Sequence, residues 1–281
     1  MIQLKSDREI ALMRQAGICV WQAHDLVRRI VVPGVTTAEI DAVVAEHFRR
    51  CNAQPLFKDY PHQNSGRPAF PAATCTSVNA EVVHGIPNDR PLREGDIVSV
   101  DTGCRLNGWC GDAAVTYPVG QIDPAIQRLL DATQATLDLA FDLMHTYTRW
   151  SQVARAMAEY VRQQGFSTVE CFVGHGIGRQ MHEDPQVPNF YSRSLRGSGD
   201  FRIEPGLVIA VEPMVNMGTK RVKMHRDQWT QSTLDGKASA HFEHTIAVTG
   251  EGPVLLTVVP TREELANLSF NALPAEASVS R

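Results

Sequence analysis

The sequence has no excess of basic charge and no long apolar run. Its 281 residues contain 27 Lys and Arg against 31 Asp and Glu, a formal net charge of −4. This balance provides neither a basic surface for nucleic acid nor a polybasic patch for a membrane. No apolar segment is long enough to span a bilayer, and residues 1–17 lack the apolar core of a signal peptide. These absences predict a soluble, cytoplasmic protein without nucleic-acid or membrane partners.

The cysteines lack the spacing of a zinc ribbon or a thioredoxin motif. Six are present and none belongs to a C-x-x-C pair. Cysteines scattered through apolar or helical segments behave as small hydrophobic residues, and in the cytoplasm they stay reduced. We therefore expect free thiols, most of them with a packing role: Cys19, Cys51, Cys75, Cys104, Cys110 and Cys171.

No low-complexity linker divides the chain. Capping boxes that begin at Ser6 and Thr36 predict a first pair of helices. A second pair is predicted at residues 126–144 and 151–164, and strand-like segments with acidic residues follow each pair. This repeated order predicts one domain with two similar halves. We expect two segments, namely a single domain at residues 1–265 and a mobile C-terminal tail at residues 266–281.

One predicted hairpin brings two aspartates together. Asn107-Gly108 is a strong hairpin signal, because both central residues of a type I′ turn take positive φ. A turn there pairs Gly103 with Asp112 and places Asp101, two residues before Gly103, on the same face. The two aspartates are then diagonal neighbours, roughly 7–8 Å apart between Cα atoms. Their carboxylates repel each other, and a divalent cation is the usual compensation.

Two further acids lie on predicted strands in the second half. Glu212 ends the apolar segment 207–212, and Glu243 lies in the segment 241–249. A single buried Glu is more often paired with Arg or Lys than with metal, and aspartates beside a turn are often simply exposed. Four acids at strand positions, together with His175, instead favour an oxygen-rich site in which two divalent cations activate water.

The glycines around His175 suggest a phosphate-binding loop as an alternative. Residues 171–185 contain Gly174, Gly176 and Gly178, but neither the G-x-G-x-x-G spacing nor a Walker lysine is present. Glycines also allow backbone to pack closely around a neighbouring side chain. The segment therefore favours a metal site over a nucleotide site.

Over residues 7–258 the sequence resembles the type I methionine aminopeptidases. The resemblance is carried by the motifs VVHGIP (82–87), DIVSVDTG (96–103), GDAAVTYPVG (111–120), GHGIGRQMHEDP (174–185), PGLVIAVEPMVN (205–216) and FEHTIAVT (242–249). It implies an α+β pita-bread fold, in which helices cover two pseudo-symmetric halves of antiparallel sheet. It also implies that the domain is a metallo-exopeptidase, a hydrolase that removes the initiator methionine from nascent proteins by two-metal activation of water.

The resemblance implies five metal ligands. Asp101 corresponds to a carboxylate that binds the second metal only, while Asp112 and Glu243 correspond to bridging carboxylates. His175 and Glu212 correspond to ligands of the first metal only. The implied cofactors are two divalent metal ions, Co, Mn, Fe, Ni or Zn. A single nitrogen among oxygen donors favours Mn, Fe or Co.

The resemblance also implies roles in substrate binding and catalysis. His84 and His182 correspond to histidines that contact the substrate amide and stabilise the tetrahedral intermediate. Glu212 is the candidate for moving the proton, although its expected metal contact competes with that role. Three residues correspond to the pocket for the methionine side chain, and ordinary core packing is the alternative for each: Cys75, Phe70 and Trp229.

Several positions depart from the family pattern. Arg67 stands where a pocket tyrosine is common, Ala69 where glycine is common, and Met181 where phenylalanine is common. His241 stands where glutamine is common, and the segment 57–66 is longer than usual. These departures affect the shape of the pocket and not the metal ligands. The expected partners are peptides and nascent chains with N-terminal Met, and a monomer is expected; contact with the ribosome stays open.

Two other functions compete with this interpretation. A prolidase or Xaa-Pro aminopeptidase would share the fold and ligands, but these enzymes usually carry an extra N-terminal domain. Only thirty residues separate Glu212 from Glu243, which favours type I over type II, where a helical insertion is found. A non-catalytic binding module of the same fold would have replaced metal ligands, and all five are present here.

Overall fold

Four long helices occur, among the described residues, where capping signals and apolar periodicity predict them. In the computed structural model they are α1 (Asp7–Ile30), α2 (Thr37–Arg50), α3 (Pro124–Met144) and α4 (Trp150–Gln163), followed by a short α5 (Arg262–Ala266). The carboxylate of Glu9 accepts a hydrogen bond from the Ser6 backbone N–H, and that of Glu39 from Thr36. Both predicted capping boxes therefore begin helices.

The structure describes residues 1–268 apart from residues 63, 65, 193, 194, 196 and 198. Most of the expected C-terminal tail, residues 269–281, lies outside the described residues. Within the described part, no helix combines the length and apolar character needed to cross a membrane.

The strands form one large sheet and two small ones, with antiparallel pairing throughout the described ladders. They are β1 (Gln54–Pro55), β2 (Cys75–Val78), β3 (Glu81–Val83), β4 (Ile97–Leu106), β5 (Trp109–Pro118), β6 (Ser167–Thr168), β7 (Gly174–Gly176), β8 (Glu183–Val187), β9 (Val208–Val211), β10 (Met214–Asn216), β11 (Val222–Met224), β12 (Gln231–Thr233), β13 (Ser239–His241), β14 (Glu243–Thr249) and β15 (Gly252–Leu255). The large sheet has the order β1-β4-β5-β14-β9-β7-β8, with β2 beside β4 and β15 beside β14. The small sheets are β13-β10-β6 and β11-β12-β3.

Each pair of helices covers its own half of the large sheet. The first core joins α1 and α2 to β4, and its buried residues include Val20, Val27, Val44, Phe48 and Val100. The second core joins α3 and α4 to β9 and β14, and its buried residues include Leu129, Trp150, Met157, Ile209 and Ile246. Central strands and helices pack together because apolar side chains recur on the face that each presents to the other. The two similar halves predicted from the order of elements are therefore present.

The hairpin β4–β5 has the predicted register. Asn107 and Gly108 take φ values of 52° and 81°, as the type I′ turn requires. Gly103 is paired with Asp112. Because a shift of one residue would turn each side chain to the opposite face, this turn determines that Asp101 and Asp112 share a face.

Helix α1 approaches the sheet closely at a glycine. A Cβ atom on Gly17 would lie 2.0 Å from the backbone carbonyl oxygen of Leu256. We expect Gly17→Ala to lower the free energy of unfolding by about 2 kcal/mol or more, because backbone must move to relieve the overlap. Urea denaturation measures this change. Gly250→Ala is the matched control, since its Cβ would meet nothing within 4 Å; equal stability of the two variants would contradict the close approach.

Candidate metal centre

Three of the predicted ligands lie side by side on neighbouring strands. Asp101 of β4 and Glu243 of β14 are each paired with Ala114 of β5. Asp112 lies two residues before Ala114, and residues two apart on a strand share a face. The register therefore places one carboxylate from each of three adjacent strands on the same face of the sheet.

The next two strands complete the row. Ala210 of β9 is paired with Thr245 of β14 on one side and with His175 of β7 on the other. Thr245 lies two residues after Glu243 and shares its face. Glu212 lies two residues after Ala210, and its Oε1 is 3.7 Å from Nε2 of His175. Five adjacent strands thus bring the four acids and the histidine to one place.

Three carboxylate oxygen atoms at this place lack hydrogen-bond partners among the described residues. The candidate donor atoms of Asp112, His175 and Glu243 lie within 4.8 Å of one another. Asp101 Oδ1, Asp112 Oδ1 and Glu243 Oε1 are buried and have no hydrogen-bond partner among the described residues. Buried acceptors left without a donor destabilise a protein by about 1–3 kcal/mol each, and more when charged. Divalent cations would satisfy these oxygens, so the residues present fit a metal centre.

Burial and mutual repulsion shift the pKa values of the four acids. Burial raises the pKa of Asp112 to about 8. Burial and then the nearby Asp112 raise the pKa values of Glu212, Glu243 and Asp101 well above their usual range. Without a cation, four carboxylates at such close quarters hold protons that exposed acids would release. A positive charge at this place would offset the repulsion between these carboxylates.

His175 is held in the form that a metal ligand requires. Its Nδ1–H donates to the backbone carbonyl of Gly176 at 3.0 Å, which leaves the lone pair of Nε2 free. Burial lowers its pKa to about 3, so the imidazole is neutral. A Cβ on Gly176 would lie 2.1 Å from the carbonyl oxygen of Asp184, and one on Gly174 2.3 Å from that of Ala210. The glycines thus serve the close packing that the sequence indicates.

The centre opens into a cavity of about 940 Å³. All ten residues that the sequence singles out line it: Phe70, Cys75, His84, Asp101, Asp112, His175, His182, Glu212, Trp229 and Glu243. Phe70 and Trp229 meet edge to face with ring centroids 5.3 Å apart. Cys75 is paired across the strands with Asp101, so the apolar part of the cavity adjoins the acids. The arrangement can hold an apolar side chain next to a polar reaction centre.

Two histidines flank the acids. The ring of His182 lies 4.3 Å from that of His175, between centroids, and its Nδ1 is 2.6 Å from the Tyr60 hydroxyl. His84 has a φ of 59°, a backbone conformation that is uncommon outside glycine and is often found at functional sites. Its ring packs edge to face on Phe172. Burial lowers its pKa to about 4, with smaller effects from other histidines, so it is neutral and can donate a hydrogen bond.

Tyr60 is a cavity residue that the sequence analysis did not single out. Tyr60 lines the cavity and contacts His182, whereas Arg67 stands at the position where a pocket tyrosine is common. The Phe70 N–H donates a hydrogen bond to the Tyr60 carbonyl. Arg67 lines the same cavity and lies within 3.6 Å of the Met224 sulfur. The sequence prediction for this region was only that residues 57–66 are longer than usual.

His241 also adjoins the centre. Its Nε2 lies 3.7 Å from Glu212 Oε2 and has no hydrogen-bond partner among the described residues. Burial lowers its pKa to about 3, so it is a neutral imidazole beside a predicted ligand. The sequence marked this position only as a departure from glutamine. The fold makes it a neighbour of Glu212, because β10 pairs Met214 with His241.

Comparison with known proteins gives the family. The family model "Metallopeptidase family M24" matches residues 11–250. Methionine aminopeptidase 1 of Bacillus subtilis is 42% identical over 92% of this chain and 100% of its own length. A crystal structure of methionine aminopeptidase from Thermotoga maritima superposes with a TM-score of 0.85 at 41% identity, covering 92% of this chain and 100% of that one. These matches confirm the α+β pita-bread fold and a metallopeptidase that needs a divalent metal.

More distant structures share the fold alone. Prolidase from Pyrococcus furiosus superposes with a TM-score of 0.69 at 17% identity and covers 92% of this chain, but only 66% of the prolidase chain is matched. The family model and the relatives above 40% identity therefore decide the assignment. The chain belongs to metallopeptidase family M24 and, within it, to the methionine aminopeptidases.

Proposed function

We propose that this protein hydrolyses the first peptide bond of peptides and nascent proteins that begin with methionine. The observation that carries the proposal is the convergence of three acids and one histidine on adjacent strands with Glu212, which follows β9, and with three buried oxygens that lack partners among the described residues. This group of residues borders a cavity with an apolar wall. A peptide N-terminus with an apolar first side chain fits both parts of the cavity.

The proposed ligands hold two divalent cations. Asp112 of β5 and Glu243 of β14, which lie on neighbouring strands, would contribute ligands to both cations. Asp101 would contribute a ligand to one cation, and His175 and Glu212 would contribute ligands to the other. When bound, the cations supply a positive charge that lowers the pKa of water and polarises the scissile carbonyl. A donor set with one nitrogen among oxygens favours Mn, Fe or Co.

The remaining polar side chains act on the substrate. Glu212 accepts the proton of the attacking water, and the proposal is supported by burial, which raises the pKa of this carboxyl and favours its protonated form. His84 and His182 donate hydrogen bonds to the carbonyl oxygen as it gains charge, a contribution of about 3–4 kcal/mol for a well-placed donor. Tyr60 keeps His182 in place through the bond to its Nδ1.

The specificity for methionine comes from the apolar part of the cavity. Phe70, Trp229 and Cys75 provide aromatic and sulfur-containing surface, which suits a thioether side chain. The Trp229 indole N–H donates to the Pro68 carbonyl at 3.0 Å, so its ring is held in position. We further propose that the enzyme is cytoplasmic and monomeric, and that it acts on nascent chains once their initiator methionine is exposed. This role allows contact with the ribosome.

Hydrolysis of Met-Ala-Ser and Pro-Ala-Ser by the purified protein tests the proposal. We expect release of Met, and not of Pro, in the presence of Mn, Co or Fe, and no release in EDTA. Release of Pro would assign the protein to the prolidase-like branch of the fold. A folded protein without hydrolysis under any metal would indicate a binding module.

The substitution His182→Ala separates substrate contact from metal binding. We expect kcat to fall by about 100-fold, because one hydrogen-bond donor to the developing charge is lost, while the bound metal measured by mass spectrometry stays unchanged. Tyr60→Phe is the milder companion variant and should lower kcat less, since the imidazole remains. Loss of metal in His182→Ala would contradict the assignment of His182 as a substrate contact.

A further inference from the structure

A buried ion pair joins the N-terminal segment to the loop that carries His182. This loop, residues 177–182, connects β7 to β8, and Glu183 is the first residue of β8. The Lys5 ammonium nitrogen lies 2.7 Å from Glu183 Oε2, and the two side chains are 5% and 13% exposed. Lys5 lies outside the lining of the cavity, whereas His182 and Glu183 both line it. The pair therefore connects a residue behind the site to the neighbour of a proposed substrate contact.

The Glu183 carboxylate holds the backbone of this loop. Its Oε1 accepts hydrogen bonds from the backbone N–H groups of Arg179 at 2.8 Å and of Gln180 at 3.0 Å. The Gly178 N–H donates to the Gln180 carbonyl at 3.1 Å within the same loop. One carboxylate thus binds the backbone ahead of His182 through one oxygen and the lysine through the other.

Lys5 is itself anchored to the large sheet. Its backbone N–H donates to the Gly206 carbonyl at 2.7 Å, and the Gly206 N–H donates to the Val248 carbonyl of β14 at 2.8 Å. The ammonium also donates to the Gln3 carbonyl at 2.8 Å. Because β14 bears Glu243, the lysine links the loop to a strand that carries one of the proposed metal ligands.

The pair is tightly packed and Glu183 is ionised. Burial opposes ionisation of Glu183, but hydrogen bonds from Lys5 and from the backbone N–H groups of Gln180 and Arg179 lower its pKa below the usual range. A Cβ atom on Gly178 would lie 2.6 Å from Lys5 Cε and 2.7 Å from Glu183 Oε1, so no space is left between the pair and the loop. Removal of one partner from a buried pair leaves an uncompensated charge, whereas an exposed pair contributes little.

The side chain of His182 is fixed separately from its backbone. The Tyr60 hydroxyl lies 2.6 Å from Nδ1, and the His175 ring lies 4.3 Å from the His182 ring between centroids. These contacts orient the imidazole, and Nε2 is the ring nitrogen left to face a substrate. The position of the whole ring still depends on the loop backbone, which the carboxylate of Glu183 holds.

We propose that Lys5 and Glu183 are positioning residues that place His182 at the distance from the substrate carbonyl that hydrolysis requires. This inference rests on the substrate contact proposed above for His182. A pair that only stabilised the fold is the alternative, and its loss would leave kcat of a folded variant unchanged. A displaced donor instead lowers kcat, because it stabilises the transition state less, and leaves KM and bound metal as they were.

A double-mutant cycle between Lys5→Met and His182→Ala tests this role. Lys5→Met removes the charge and keeps an unbranched apolar side chain, and we expect kcat for Met-Ala-Ser to fall by about 10-fold. KM and the Mn content measured by mass spectrometry should change by less than about two-fold. In the His182→Ala background, Lys5→Met should change kcat by less than about two-fold, since the group that it positions is already gone.

Two further variants complete the experiment. Lys220→Met is the matched control, because Lys220 pairs with Glu170 at 2.6 Å but the two side chains are 54% and 44% exposed; its kcat should equal that of the wild type. Glu183→Gln keeps an oxygen for the loop N–H groups and weakens the ion pair, so kcat should fall in the same direction. It takes the place of Lys5→Met in the cycle should circular dichroism show that Lys5→Met is unfolded.

The outcomes separate this inference from the proposed function. Additive effects of Lys5→Met and His182→Ala in folded protein with bound metal would overturn the inference and leave the peptidase activity in place. Unchanged kcat in folded Lys5→Met would overturn it in the same way. Absence of hydrolysis by the wild-type protein with any metal would overturn the proposed function, and this inference with it.

Discussion

The substitution Asp112→Ala should remove peptidase activity and bound metal together. Asp112 lies on β5, between the strands that bear Asp101 and Glu243, and is 3% exposed. As a proposed bridging ligand it contributes to both cations, so its loss should lower kcat/KM by at least about 1,000-fold, or roughly 4 kcal/mol of transition-state stabilisation. Peptide hydrolysis and metal content of the same preparation measure the two effects.

Two variants make this result specific. Asp112→Asn preserves the shape of the side chain and removes the negative charge, and it should be nearly as inactive as Asp112→Ala. Asp184→Ala removes an exposed carboxylate that lines the same cavity, and it should keep its metal and most of its activity. A variant of Asp112 that binds two equivalents of metal would refute the bridging role.

Stability of the metal-free protein should fall as the pH rises from 7 to 8. Burial raises the pKa of Asp112 from 3.8 to about 8, and those of Asp101, Glu212 and Glu243 are raised as well. When the pKa of a group is higher in the folded state than in the unfolded state, the group stabilises the folded state fully at pH values below its unfolded pKa. This stabilisation decreases as the pH rises and is lost once the pH exceeds the folded pKa. Each carboxyl still titrating in this range lowers the free energy of unfolding by up to about 1.4 kcal/mol per pH unit.

Measurement between pH 7 and 8 separates the effect of the acids on stability from the effect of the histidines. Burial lowers the pKa values of His175 and His241 to about 3, so their stabilising contribution is lost only as the pH falls below 6.5. Above pH 7 the acids therefore dominate. Urea denaturation in EDTA should show a loss of at least about 1 kcal/mol between pH 7 and 8, and protein loaded with Mn should show little change. Equal slopes with and without metal would count against a metal centre at these acids.

The hairpin shows how much local sequence can determine. Asn107-Gly108 requires positive φ at two successive residues, and only one kind of tight turn meets that requirement. Strand alternation then decides the facing of Asp101 and Asp112 without any knowledge of the rest of the chain. Local sequence also determines where α1 and α2 begin, at residues 7 and 37, because each start depends on a capping box of four residues.

Other parts of the site were not available from local patterns. Tyr60 reaches His182 across 122 residues of sequence, and both residues line the cavity. His241 comes to Glu212 through the pairing of β10 with β13. A pattern within one segment has no information about which distant segment packs against it.

The sequence by itself determined the turn, the helix starts, the two similar halves and, through its motifs, the five residues that converge on the centre. These features follow from backbone preferences and from the periods of strands and helices, which act over a few residues. Only the tertiary structure decided that Cys19, His47 and Cys51 meet, and that buried oxygens of Asp101, Asp112 and Glu243 have no hydrogen-bond partner in the described part of the chain. These distances, and the buried acceptors without donors, result from the packing of segments that are remote in sequence. That packing depends on the free energy of burial of the whole chain, which local patterns do not contain.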